Sequence, residues 1–269
     1  MDILLIGAVA ALASALTFFS GFGLGTILLA AFSLFFPVPI AVAATGLVHL
    51  LNNLFKGTLL RKRADWRTVL AFGAPAVPAA MLGAWLLAVL GHTPRLFEWT
   101  ALGASFGPTG AGLAVGTLMM LFASLELHPR FAGLRAPARL MPLGGALTGL
   151  FGGLTGQQGA LRSIFLLRAG LAPDRFIATG VMVAILVDLS RLSTYAASFQ
   201  ASGPDPAGRD ALLISVGTIS AVAATFFAAR RIEKVTVASV RSIVAGLMLL
   251  IGAALAAGLL GSPGTFHKV

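Results

Sequence analysis

The sequence predicts an all-α integral membrane protein of two inverted-topology repeats, each a glycine-broken re-entrant helical hairpin followed by three transmembrane helices. Three observations carry that expectation. The 269 residues are 58% apolar and only 10% charged, with a mean hydropathy of +0.95, whereas a soluble domain carries about 25% charged residues. Apolar stretches long enough for roughly 30 Å of hydrocarbon alternate with short basic segments. Two further apolar regions are interrupted by glycine clusters, and each is followed by three uninterrupted stretches.

In chain order, the first region is 3–36, interrupted by Ser20-Gly21-Phe22-Gly23-Leu24-Gly25. Met1-Asp2 precedes it without the basic stretch of a cleaved signal, so this end reads as part of the mature protein. Spans follow at 37–60, 67–91 and 97–124. Pro75 and Pro78 should kink the second, and Gly103, Gly107, Pro108, Gly110, Gly112 and Gly116 loosen the third. The small residues of the third suit close helix packing, either within the chain or in a homodimer. A cytoplasmic linker is expected at 125–139. The second region, 140–170, is interrupted by Thr155-Gly156-Gln157-Gln158-Gly159, and spans follow at 173–199, 209–230 and 239–261. Most arms flanking the interruptions have about 12–14 residues, or about 18–21 Å of helix, too short to cross.

The basic residues choose between broken spans and hairpins. With both regions re-entrant, 14 of the 19 Lys and Arg residues fall on one side, 3 on the other, and Arg162 and Arg191 stay within membrane segments. That bias places the 14 in the cytoplasm. An odd number of spans per repeat turns the second repeat (140–269) upside down relative to the first (1–124). Ala44-Thr45-Gly46 and Ala178-Thr179-Gly180 take near-equivalent places in the two. Paired interrupted segments in inverted repeats are a transporter design, and the interruptions point to the solute site.

The formal charge of +10 is spread over short loops, which suits anionic lipid headgroups better than nucleic acid. The chain has no cysteine, which excludes disulfides and thiolate metal sites. Four scattered histidines form no metal motif, and no cofactor is expected. No glycine-flanked serine with a partner histidine and no metal triad indicates catalysis. A transporter is the first reading; an intramembrane enzyme and a non-transporting scaffold are the alternatives.

The candidate solute-binding residues gather at the interruptions and on two spans. At the second interruption, Thr155, Gly156, Gln157 and Gln158 offer backbone access and amide groups, and Arg162 lies one turn into the helix beyond. A helix N-terminus and a guanidinium together suit an oxyanion. At the first interruption, Ser20, Gly21 and Gly23 offer backbone groups and one hydroxyl. On 37–60, Thr45, His49, Asn52, Asn53 and Lys56 recur at helical spacing on one face, with Lys56 read as an interface anchor. On 173–199, Asp188, Arg191 and Tyr195 are spaced i, i+3 and i+7. Asp188 and Arg191 can pair, structurally or as part of the site, and Asp188 with His49 is the candidate for proton coupling.

The chain resembles the sulfite exporter TauE/SafE family of permeases. The resemblance rests on Ser20–Gly25, on Pro37–Thr45, on the basic Arg61-Lys62-Arg63-Ala64-Asp65-Trp66 loop, and on second copies at Thr155–Gly159 and Pro173–Gly180. It implies movement of a small anion (sulfite, an organosulfonate or a related oxyanion) across a bacterial inner membrane.

Overall fold

The computed structural model describes residues 1–17, 23–101, 103–128, 137–198, 208–231 and 237–261. Among the described residues, the regular structure is helical apart from one small hairpin. The helices are α1 (Asp2–Thr17), α2 (Leu24–Phe32), α3 (Val38–Leu60), α4 (Trp66–Gly91), α5 (Gly110–Leu127), α6 (Met141–Thr155), α7 (Gly159–Leu166), α8 (Pro173–Ser198), α9 (Arg209–Arg231) and α10 (Val237–Ala256). Among the described residues, five helices have the length and apolarity to cross a membrane: α3, α4, α5, α8 and α9. The chain is a multi-pass membrane protein.

The expected span 97–124 needs correction. Trp99–Ala101 (β1) and Ala104–Phe106 (β2) pair antiparallel, and α5 begins only at Gly110. Gly103 turns the hairpin at φ 79°. Pro108 cannot donate to a helix ladder, and the Thr109 side chain then caps α5 by accepting from the Gly112 N–H at 3.1 Å. All these residues except Thr100, Ser105 and Thr109 are apolar or small, so hydropathy merges strand, turn and helix into one stretch. The Trp99 indole N–H closes the hairpin onto the Ala257 carbonyl at 2.9 Å. At its other end α5 runs to Leu127, into the segment expected to be linker.

Backbone-to-backbone packing joins the helices. A methyl group at Gly145, Gly149 or Gly153 of α6 would come within 2.0–2.1 Å of the Phe72, Ala76 and Ala80 carbonyl oxygens of α4. Only glycine permits that approach. Pro75 and Pro78 lie inside α4. On α5, a methyl at Gly116 would meet the Gly252 oxygen of α10 at 2.4 Å, so this glycine serves packing within the chain.

A polar latch ties the loop after α3 to the start of α8. The Asp65 carboxylate caps α4 by accepting from the Thr68 N–H at 2.8 Å, and the Asp65 N–H donates to the Thr179 hydroxyl at 2.9 Å. Arg175 and Asp65 pair at 3.1 Å, and Arg63 and Asp174 at 3.7 Å. The Thr68 hydrogen bond, then the Arg175 and Arg67 charges, hold the Asp65 carboxyl below its ordinary pKa.

Candidate functional site

Two glycines set the site. Gly23 caps α2 at φ 103°, and Gly156 ends α6 at φ 79°. An L side chain at either would be strained. The two interruptions touch: a Cβ on Gly25 would lie 3.4 Å from the Gly156 oxygen and 3.7 Å from the Thr45 methyl. Neither α2 nor α7 has a side-chain cap at its start, so first-turn amides of both helices begin beside this junction.

A cavity opens here, lined by Gly23, Gly25, Thr26, His49, Glu126, Gln157 and Arg162 among others. About 30 Å³ of it can hold the centre of a water-sized molecule, where about 10–15 Å³ suffices for one water.

Behind the cavity is a charged cluster. Asp188 is fully buried and takes three partners. Its Oδ2 lies 2.6 Å from His49 Nδ1; its Oδ1 accepts from Gln158 Nε2 at 3.1 Å and from Arg191 Nε at 2.9 Å. Arg191 Nη2 is also 2.8 Å from Oδ1 but off the hydrogen-bond direction. The Arg191 guanidinium lies between two glycines: a Cβ on Gly46 would be 3.0 Å from Cζ, and one on Gly156 would be 3.2 Å from Nη1. Tyr195 lies beside it and donates its hydroxyl proton to the Gly153 carbonyl. Arg162 packs against Gly180 in a similar way, with Nε 3.4 Å from that glycine's Cβ position, and its charge reaches Asp188.

Several buried polar atoms around the junction make no hydrogen bond: Thr45 Oγ1, both Gln157 amide atoms, Gln158 Oε1 and Arg191 Nη1. Such atoms are few in folded proteins because each costs about 1–3 kcal/mol. Their clustering at one junction is the arrangement expected of a site for a polar solute.

Most of the residues expected from the sequence meet here: Gly23, Thr45, His49, Asn53, Gly156, Gln157, Gln158, Arg162, Asp188 and Arg191. Asn53 Nδ2 faces the His49 ring, 3.3 Å from Nε2. Ser20 and Gly21 lie outside the described residues. Thr155 serves the interruption itself; its hydroxyl donates to the Phe151 carbonyl and accepts from the Gln157 N–H. Asn52 is a correction. It is buried elsewhere, accepting from Thr225 at 2.8 Å and donating to Ser14 at 3.5 Å, between α1, α3 and α9. Adjacent helical residues point about 100° apart, so Asn52 and Asn53 face different neighbours. Lys56 is also a correction: it is buried rather than an interface anchor, within electrostatic reach of Arg162. Glu126 lines the cavity and was not anticipated, because the span was expected to end before it; a lone carboxylate in the last turn of an apolar stretch was the available signal. Among the described residues, no three metal-ligating side chains gather.

The sequence model of the sulfite exporter TauE/SafE family matches residues 6–255, nearly the whole chain. No curated protein matches it.

Proposed function

The chain belongs to the sulfite exporter TauE/SafE family of membrane permeases, and from that premise we propose that it is a secondary transporter. It moves sulfite, an organosulfonate or a related small oxyanion across a bacterial inner membrane by alternating access. The two halves, 1–124 and 140–269, act as inverted repeats that rock around the junction of their interruptions. The observation that carries this reading is the junction itself, where two helix starts, a guanidinium and amide atoms without partners face one cavity. Arg162 is the residue that meets the anion, since a guanidinium matches the planar spacing of oxyanion oxygens. His49 touches both the cavity and Asp188, so a coupled proton passes through it; a flux–pH profile unchanged in His49→Gln excludes that role.

The test is reconstitution into liposomes with labelled sulfite, a sulfonate and a carboxylate. Flux of one of them is expected, with Arg162→Ala abolishing both flux and binding in a folded protein. Normal affinity in folded Arg162→Ala removes the anion assignment. Chemical conversion of the solute without flux would instead mark an enzyme.

A further inference from the structure

We infer that Arg191 is a second, occluded station for the transported anion, and that Asp188 occupies it as a tethered carboxylate while the solute is absent. The inference rests on the transport reading above and extends it from the open cavity to the path beyond.

The geometry carries it. Gly156 lines the cavity, and a Cβ on it would lie 3.2 Å from Arg191 Nη1, so a residue without a side chain stands between solute space and Arg191. The guanidinium is completely buried, yet only part of its fork is used. Nε and Nη2 crowd one oxygen of Asp188, while Asp188's other oxygen turns to His49. Guanidinium and carboxylate pair best through two parallel hydrogen bonds. Here that pairing is not made: Nη1, on the Gly156 side, has no hydrogen bond, and beyond Asp188 the group beside the guanidinium is the neutral Tyr195 hydroxyl, not a second carboxylate oxygen. A permanent structural ion pair in so apolar a setting would be expected to use both prongs, because partial pairing leaves the desolvation of the guanidinium uncompensated.

Asp188 can release Arg191 without becoming isolated. His49 and Gln158 already hold it from the cavity side, and both line the cavity. The same carboxylate also lies within the field of Arg162. An anion that leaves Arg162 and passes Gly156 meets a second guanidinium, displaces one carboxylate oxygen and completes the fork. Gly46 forms the opposite wall of that station. On this account Asp188 and the solute compete for Arg191, and each stands in for the other.

The experiment measures sulfite binding to the purified full-length protein by thermal shift and by equilibrium binding. In Asp188→Asn, the competitor is gone and a buried guanidinium lacks its counter-charge. The variant should melt lower than wild type without sulfite, recover with it, and bind sulfite about tenfold tighter, a coupling of ordinary size for two ligands sharing a site. Adding Arg191→Gln to Asp188→Asn should remove that gain. Asp188→Asn protein that binds sulfite no better than wild type, or that sulfite does not rescue, overturns the proposal. If Asp188→Asn does not fold even with sulfite, Gly46→Ala decides. Its methyl would press on Arg191 from the far wall, and liposome flux should fall at least about tenfold while Arg162-dependent binding persists. Unchanged flux in Gly46→Ala overturns the second station. Loss of binding in Arg162→Ala with no tightening in Asp188→Asn sinks the second station alone; absence of sulfite binding in wild type, with no effect of Arg162→Ala on any anion, sinks the transport site as well.

Discussion

Two buried polar clusters share α3, and they are built on opposite terms. Around Asn52, the polar groups satisfy one another. Thr225 donates to the Asn52 oxygen, Ser14 donates to the Ala221 carbonyl and shares a 2.6 Å contact with Thr225, and all three side chains are sealed from solvent. Around Thr45 and Gly156, polar atoms of Thr45, Gln157, Gln158 and Arg191 are buried without hydrogen bonds, and Gln157 and Gln158 line the cavity. The first arrangement holds three helices together. On the transport reading proposed above, the second holds hydrogen-bonding capacity for a solute. Burial and polarity are common to both, so satisfaction is what separates scaffold from site.

That comparison can be broken by substitution. The largest effect is expected in the closed cluster. Asn52→Leu removes the acceptor of the Thr225 hydroxyl and a donor to Ser14, costing about 2–3 kcal/mol of stability. Thermal or denaturant unfolding in detergent should show the loss while the affinity for sulfite stays at the wild-type value. A stable Asn52→Leu protein with weakened binding would move Asn52 back into the site.

In the open cluster the signs reverse. Gln157→Ala discards two amide atoms that nothing satisfies, so stability should hold or rise. Sulfite affinity should drop about tenfold, or about 1.4 kcal/mol, in an equilibrium binding measurement. Destabilisation without a change in affinity would make Gln157 a structural residue.

The two Ala-Thr-Gly copies sharpen the same point at smaller scale. In both, the glycine packs on a guanidinium: Gly46 on Arg191 and Gly180 on Arg162. The threonines differ. Thr179 accepts the Asp65 N–H, whereas the Thr45 hydroxyl is unpartnered. Thr179→Val should therefore cost about 1 kcal/mol, and Thr45→Val should leave stability unchanged or slightly raised while weakening sulfite binding a few-fold. Equal stability losses in the two would mean the hydroxyls have equivalent roles.

The smallest expected effect concerns the latch beside Thr179. Because the folded state lowers the Asp65 pKa, its ionised form adds stability above the unfolded value of about 3.9. That contribution is lost as pH falls through the lowered folded value. Asp65→Asn keeps a capping oxygen but not the charge. Its melting temperature should lie slightly below wild type at neutral pH, and the gap should close in acid. A gap independent of pH would mean the charge contributes nothing.

The membrane class was legible in the sequence because composition and hydropathy are properties of the chain itself, independent of how it packs. The family was legible because its motifs are short and contiguous. The preference for glycine at 23 and 156 is likewise local, since positive φ strains an L side chain whatever surrounds it. The hairpin at 99–106 was hidden because hydropathy does not separate apolar strand from apolar helix.

Only the tertiary structure decided which buried polar groups meet. Asn52 finds Ser14 and Thr225, His49 finds Asp188, and Gly156 finds Arg191, all through partners distant in the chain. A polar side chain in an apolar span announces that it needs a partner. Its neighbour is chosen by the rotation of the helix and the closeness that glycines permit, which is why adjacent asparagines, alike in the sequence, ended in a sealed clamp and beside an open site.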